Sequence, residues 1–434
     1  MYDLAIIGAG WAGFSAVIKA KEAGLKVILI EKDKLGGTCL NSGCIPTKAL
    51  IQSAKVFSLI KKSSRFGIEL DNPRINLSSI QERKERIIQQ LKKGMELILK
   101  GVEFVNSPAE LISPDQIKIN DRKIEARFIL LATGSKPMEL PNLKFDHKKI
   151  ISSDDILNLK DIPNSLLIIG GGIIGCEFAS LFSFLGTTVS IVELMPQLLP
   201  GQDYEVAKKL EVIFKKRGIK INTNTDATKV NLLDYDLVLL CIGRIPNIHN
   251  LGLEKIGIKL EKNKIFVDDY LRTSIANIYA AGDCTGKIML AHFASFQGTK
   301  AVYNIINSCN PKKVEKSSIP NCIFTEPEIA SVGITEQIAQ EKNLEIKINK
   351  FDFLGSGMAH ILDETEGFVK VISDIKTDRI LGASIIGPKA TELISIFTLA
   401  IESQLTTNQI KEIIFAHPTL SEAVSETFKK NYGI

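Results

Sequence analysis

Short apolar runs that pass directly into glycine-rich turns are the first pattern along this chain. Residues 3–13, DLAIIGAGWAG, read as a buried strand entering Gly8-x-Gly10-x-x-Gly13. The alanine-rich stretch that follows predicts a helix to Gly24, and KVILIEK predicts a second strand ending at Glu31. The same order returns 162 residues later in SLLIIGGGIIGCEFASLFSFLGTTVSIVELM. That copy contains Gly170-x-Gly172-x-x-Gly175, a helix to Gly186 and a strand ending at Glu193. In both copies the acid lies 23 residues after the first glycine. Between the copies, KALIQSAKVFSLIKK has helical spacing and predicts a long amphipathic helix with Pro46 near its start.

These turns suit dinucleotides. The first glycine permits a tight turn, the second lets the backbone approach a pyrophosphate, and the third lets the helix pack on the strand. The helix N-terminus offers unpaired N–H groups to the phosphates, and the acid can accept hydrogen bonds from ribose hydroxyls. One such turn is weak evidence, because glycine turns between strands and helices are common. Two copies with matched acids predict two bound dinucleotides. Glu193 favours a free 2′-hydroxyl, and Leu194-Met195-Pro196-Gln197 carries no arginine to neutralise a 2′-phosphate, so NAD is expected over NADP. Trp11, the sole tryptophan, falls inside the first turn; packing beside a cofactor and packing in the core both remain open.

Composition adds mainly exclusions. The 434 residues are 45% apolar and 24% charged, as in ordinary globular proteins, and imply two to four domains at about 150 residues each. A net charge of +5 gives no reason to expect nucleic acid or an anionic membrane as partner. No apolar stretch reaches the roughly 18 residues of a membrane helix. The chain enters a strand directly after Met1, leaving no room for a signal segment, and a cytoplasmic location is expected. Seven cysteines at irregular spacing argue against a disulfide framework and single out Cys39 and Cys44 for redox or metal chemistry.

A disulfide between those two requires the chain to curl, and Asn41-Ser42-Gly43 is suited to curling. Cys44 would then lie near a helix N-terminus, where the dipole favours a thiolate, with Lys48 on the same helix face. Two buried core thiols, or two metal ligands, are the alternatives. Cys-x4-Cys is not common zinc spacing and no nearby histidine completes a set, so no metal is expected.

GGTCLNSGCIPTK (36–48) resembles the redox-active segment of the flavin disulfide reductases, the class I pyridine nucleotide-disulfide oxidoreductases. That family includes dihydrolipoamide, glutathione and mercuric-ion enzymes. LLATGS (130–135), LCIGRIPN (240–247), TSIANIYAAGDC (273–284) and IFTEPEIASVG (323–333) resemble further family segments, so the likeness covers nearly the whole chain. It implies an α/β fold with two Rossmann-like dinucleotide-binding domains, for FAD and NAD, and a C-terminal α+β dimerisation domain. The FAD domain would be split, 1–145 and 264–316, around an NAD domain at 146–263, with the interface domain at 317–434.

The resemblance also implies roles. FAD would be held by Gly8, Gly10, Gly13, Glu31, Thr38, Lys48, Thr133, Gly134, Asp283 and the helix start Met289-Leu290-Ala291. NAD would be held by Gly170, Gly172, Gly175, Glu193 and Gly243. Cys39 and Cys44 would form the redox disulfide, and Glu177 would pair with Lys48 near the flavin N5, unless Glu177 is a plain surface helix residue. His417 of HPTLSE (417–422), supplied by the other subunit, would be the general base, held extended by Pro418 and oriented by Glu422. Thr419-x-x-Glu422 also reads as a helix capping box, and one carboxylate could serve both purposes.

KIMLAHFASFQG, the 366–394 segment and HPTLSE are most similar to the branch that oxidises dihydrolipoamide. That implies transfer of electrons from dihydrolipoamide to NAD by a homodimer. Its partner would be the lipoyl domain or lipoyl carrier protein of a 2-oxoacid dehydrogenase or glycine-cleavage system. A glutathione- or mercuric-reductase-like enzyme and a flavin-bearing subunit without turnover are the rival readings. FDFLGSGMAHILD (351–363) departs from the family's Asn/Arg pattern. Cys176, Cys241, Cys284, Cys309 and Cys322 are expected to be packing residues, with an approach of Cys284 to the flavin as the alternative. His147, His249 and His360 have no foreseeable partners, and His292 is expected to be structural.

Overall fold

The computed structural model describes residues 1–314 and 318–429. The expected junction at 316/317 and the chain end 430–434 lie outside the described residues. Each predicted strand–turn–helix unit forms, and each seeds its own sheet. In the first, Tyr2–Ile7 runs parallel to Val27–Glu31 on one side and to Arg122–Leu131 on the other. Helix α1 (Trp11–Glu22) connects the first two of these strands. Glu103–Asn106 extends one edge, while the start of Arg122–Leu131 pairs with the antiparallel hairpin formed by Glu110–Ser113 and Gln116–Ile119. Ile278–Ala280, far along the chain, returns beside Ile129–Leu131 and completes seven strands.

Between Glu31 and Glu103 lie a short helix α2 (Gly37–Asn41), the predicted amphipathic helix α3 (Cys44–Lys61) and α4 (Leu77–Ile98). The second sheet is all parallel, ordered 220–222, 188–192, 165–169, 237–240, 150–151. Helix α5 (Ile173–Leu185) follows its central strand, and α6 (Tyr204–Lys216) follows the next. In both of these sheets the turn leaves a central strand with parallel neighbours on either side, the position where open α/β sheets form a ligand crevice. Helix α7 (Ala291–Ile306) packs across α1. The third sheet, 321–323, 328–333, 380–387, 368–374, 346–352, is antiparallel and covered by the helix Ala390–Glu402.

Four apolar clusters follow these sheets, two of them on the second, and one joins all three sheets' units. Leu50, Ile51 and Ala54 of α3 share one core with α5 and with Ile323, Ile329, Phe368 and Ile386 of the third sheet. The divergent 351–363 segment forms a 3₁₀ turn, Phe353–Gly355, and a short helix, Gly357–Ile361; Phe353 is fully buried while Leu354 and Ile361 face solvent. No described helix is long and apolar enough to cross a membrane.

An ion cluster also ties the second sheet's helix to the third sheet. The Lys370 side chain is only 2% exposed, and its ammonium meets Asp203 at 3.0 Å, Glu205 at 3.0 Å and Glu336 at 2.6 Å. Burial alone would depress the lysine pKa; the three carboxylates outweigh it and raise it. Asp203, 1% exposed, also caps α6. Lys370→Met would leave that carboxylate buried without its cation, a loss of about 3–5 kcal/mol. Urea unfolding at fixed subunit concentration checks this, and a change below about 1 kcal/mol would show that the cluster is solvated.

Candidate active site

Both glycine turns are built alike. Gly8 has φ +109°, and a Cβ there would lie 2.2 Å from the Ala132 carbonyl oxygen; one on Gly13 would lie 1.9 Å from the Gly8 oxygen. Gly170 and Gly175 repeat this, at 2.5 Å from the Cys241 oxygen and 2.0 Å from the Gly170 oxygen. A Cβ on Gly172 would meet nothing within 4 Å, and one on Gly10 only the Gly37 Cα at 3.9 Å, so the backbone of each turn is approachable.

Each acid spans its own turn. Glu31 accepts from Ala9 N–H at 2.7 Å and Asp33 N–H at 2.9 Å; Glu193 accepts from Gly171 N–H at 2.6 Å and Met195 N–H at 2.7 Å. Every carboxylate oxygen keeps a second lone pair for a ribose hydroxyl. This bracing of the turn is an additional role that the sequence reading did not foresee.

The two turns open onto one cavity of about 2090 Å³, about twice the upper end of a typical single-ligand pocket. Thr38, Thr133, Gly134, Asp283 and the Met289-Leu290-Ala291 helix start all line it, as does Gly243. Asp283 accepts a 2.6 Å hydrogen bond from Ser135, whose hydroxyl and carbonyl oxygens both accept from Arg244. Neither Ser135 nor Arg244 was anticipated, although both lie in the quoted ATGS and IGRIPN segments.

The cysteine pair faces the same cavity. Asn41 closes the curl by donating to the carbonyls of Leu35 and Gly37 at 2.9 and 2.8 Å. Gly43 joins α2 to α3 where any side chain would collide; a Cβ would sit 2.9 Å from the Thr38 oxygen and 3.3 Å from Cys39 Cα. Cys44 is then the first residue of α3, whose leading N–H groups have no side-chain cap.

The two thiols are in hydrogen-bond contact, and the contact is unequal. The bond donated by Cys39 lowers Cys44 to about 7, with the Lys48 charge assisting and burial opposing. That same bond, and then burial, pushes Cys39 well above the ordinary thiol range. Negative charge is therefore favoured on Cys44 over Cys39. The Trp11 indole also touches Cys39, and its ring lies edge-on to Phe14 with centroids 6.2 Å apart, so Trp11 serves cavity and core together.

Lys48 meets both oxygens of Glu177, at 2.9 and 2.8 Å. Glu177 is not a surface helix residue; it is buried and bridges α5 to α3.

His417 stands apart from this cavity. Its side chain is 79% exposed, and Nδ1 lies 2.9 Å from Glu422 Oε1. The other Glu422 oxygen accepts from Thr419 N–H at 2.9 Å, and that bond, then His417, holds the carboxyl below its ordinary range. The reciprocal half of the capping box is absent: the Thr419 hydroxyl donates to the Ala416 oxygen and contacts Ser421, while the helix Glu422–Glu426 begins three residues later. His417–Pro418 is a cis peptide.

Burial pushes the thiols of Cys176, Cys241 and Cys284 up, Cys284 to about 12. Cys284 donates to the Ala281 oxygen and does not line the cavity. Cys322 does line it, a place its spacing did not suggest. His292 bonds the Pro320 oxygen at 2.9 Å, His147 pairs with Asp155 at 3.0 Å, and His360 bonds the Leu354 oxygen at 2.8 Å. Among the described residues no cluster of three or more metal-ligating side chains occurs.

A family profile described as "Pyridine nucleotide-disulphide oxidoreductase" matches residues 2–298, and the corresponding dimerisation-domain profile matches residues 319–428. The latter match supports a homodimer. The chain is 40% identical to the dihydrolipoyl dehydrogenase of Chlamydia trachomatis, covering 98% of this chain and 96% of the relative. It is 38% identical to a Bacillus subtilis dihydrolipoyl dehydrogenase, covering 99% of each. Among solved structures it resembles LpdA from Mycobacterium tuberculosis (28% identity, 98% of each chain, TM-score 0.91). It also resembles the HOCl-induced flavoprotein disulfide reductase RclA from Escherichia coli (27%, 98% and 99% of the two chains, TM-score 0.88). The chain therefore belongs to the pyridine nucleotide-disulphide oxidoreductase family, whose members bind FAD and NAD(P), and is a flavoprotein disulfide reductase.

Proposed function

We propose that this chain is a dihydrolipoamide dehydrogenase that uses the Cys39–Cys44 pair to pass electrons from dihydrolipoamide to NAD. The observation that carries the reading is the place of Cys39, Cys44 and Lys48 at the start of α3, in one cavity with both glycine turns. The dihydrolipoyl dehydrogenase relatives narrow the substrate.

The residues present fit the two dinucleotides. A pyrophosphate would meet the bare backbone of Gly10 or Gly172 and the N–H groups opening α1 or α5. Glu31 and Glu193 would accept ribose hydroxyls, with the chain after Glu193 lacking a cation for a 2′-phosphate. Thr38, Lys48, Thr133, Gly134, Asp283 and residues 289–291 would hold FAD, and Gly243 would border NAD. When bound, FAD accepts an electron pair from a thiolate and delivers it to nicotinamide.

The chain's own residues carry the thiol chemistry. In the oxidised protein Cys39 and Cys44 are one disulfide. His417 of the partner subunit takes a proton from the substrate dithiol, with Glu422 steadying the imidazole. The substrate thiolate attacks Cys39, the Cys39–Cys44 bond breaks, and Cys44 leaves as a thiolate stabilised by the helix end and Lys48. The second substrate thiol then attacks the lipoyl sulfur of the mixed disulfide, closing lipoamide and releasing Cys39; its proton passes to the departing Cys39 thiolate, and the first proton stays on His417. Two electrons now reside on the cysteine pair. The physiological substrate is a lipoyl group on a lipoyl domain or carrier protein, and the location is cytoplasmic.

Steady-state reduction of NAD by dihydrolipoamide tests the substrate. Turnover is expected, with NADP giving a kcat/KM lower by about 10²-fold or more; no turnover with dihydrolipoamide, or preference for NADP, would overturn the reading. The dimeric site has its own test. C44S and H417Q homodimers should each be nearly inactive, whereas mixed dimers carry one site with both residues intact. Refolding the variants together should restore about a quarter of wild-type activity. No recovery despite mixed-dimer formation would place His417 in its own chain's site.

A further inference from the structure

The strand Asn321–Ile323 ends in a segment that reaches away from its own sheet and grips the redox helix. Ile323 is fully buried in the core shared with α3 and α5, which fixes where the next residue emerges. That residue, Phe324, contacts both members of the Lys48–Glu177 pair. Its ring centroid lies 4.8 Å from the Lys48 ammonium, and its backbone N–H donates to Glu177 Oε1 at 2.9 Å. The following residues clamp the segment in place. Glu326 N–H donates to the Ser180 hydroxyl of α5 at 3.1 Å, and its carboxylate pairs with Lys55 of α3 at 2.7 Å. Its carbonyl accepts from Arg217, at the end of α6, at 2.5 Å. Glu328 also faces Lys55, at 3.4 Å, and bonds Thr391.

We propose that Phe324 is a positioning residue: its ring and its own N–H hold Lys48 and Glu177 as one unit, and so fix the positive charge beside Cys44. The inference rests on the redox role given above to Cys44. It adds that the third sheet, beyond forming the dimerisation unit, sets the electrostatics of the redox helix in its own chain.

The physical case is a competition. Lys48 is a flexible four-carbon side chain whose charge acts on Cys44 only while it stays near, and 29% of its side chain is exposed to the cavity. Glu177 alone would draw the ammonium toward α5. The aromatic face supplies a second attraction from another direction, worth about 0.5–2 kcal/mol depending on desolvation. The Phe324 N–H fixes which way the carboxylate points. The charged or titratable groups facing Cys44 are Cys39 from α2, Lys48 from its own helix and Glu177 from α5. Cys322, one residue from the pinned Ile323, faces Lys48, Glu177, Glu328 and Glu392 and stays protonated, its thiol raised to about 11 chiefly by burial. Of the groups facing Cys44, Lys48 is thus the one cation, and its placement adds to the Cys39 contact in favouring the thiolate there.

The test titrates the holoprotein reduced with dithiothreitol, following thiolate-to-flavin charge-transfer absorbance against pH, so no turnover is needed. In the wild type the absorbance should rise as pH passes about 7. Phe324→Leu, which keeps an apolar side chain but removes the ring, should shift the midpoint upward by about half a pH unit or more. Phe324→Tyr, which keeps a π face over the ammonium, should restore it. Pentafluorophenylalanine at 324, nearly the same shape with an inverted quadrupole, should behave like leucine and serves if that variant does not fold. An unchanged midpoint in either ring-altered protein, whatever its thermal stability, would overturn the proposal. Failure of the dihydrolipoamide assay with an intact midpoint shift would instead reject the substrate assignment and leave the positioning role standing.

Discussion

The first turn of a helix favours negative charge on one of two neighbouring thiols, and the rest of the site is arranged around that preference. It exists because Gly43 lets α2 and α3 meet with Cys39 and Cys44 in contact, at a spot where any Cβ would strike the Thr38 carbonyl. The helix start then favours charge on Cys44, Lys48 reinforces it, and burial resists it. An isolated thiol pair in water would have none of this asymmetry. In the proposed chemistry this preference makes Cys44 the better leaving group and Cys39 the sulfur that the substrate attacks.

That local chemistry is held by contacts between parts of the chain remote in sequence. Lys48 comes from the helical connection within the first sheet's unit, Glu177 from the helix after the second glycine turn, and Phe324 from the edge of the third sheet. The shared core beneath them, with Leu50, Phe178 and Ile323 in one cluster, prevents the three units from moving freely at this point. A second junction, at Lys370, fixes the third sheet to the N-terminal cap of α6. A carrier for two electrons needs its donor, relay and acceptor at fixed separations, and these junctions supply that rigidity.

What was legible in the sequence follows the range of the interactions. The glycine turns, the matched acids and the helix after Cys44 are local patterns, and each formed where expected because the backbone geometry depends on near neighbours. The shared cavity was implied by repetition, since two like turns on like sheets present like helix ends. Glu422 was half legible: its bond to Thr419 N–H and its contact with His417 both exist, but the hydroxyl half of the capping box does not, because Thr419 bonds Ala416 instead. The Arg244–Ser135–Asp283 chain, the Phe324 contacts and the Lys370 cluster were illegible. Each joins residues 34 to 276 positions apart, and no spacing rule records which distant side chain will arrive. The same holds for Cys322, which spacing alone left as a packing residue.

Electrons from NADH must reach the cysteine pair, and their arrival can be read on the cysteines themselves. Oxidised holoprotein is treated anaerobically with one equivalent of NADH, quenched with iodoacetamide and mapped by mass spectrometry. Cys39 and Cys44 should become labelled only after NADH, with Cys176, Cys241 and Cys284 unchanged. A flavin that bleaches while Cys39 and Cys44 remain joined and unlabelled would contradict this.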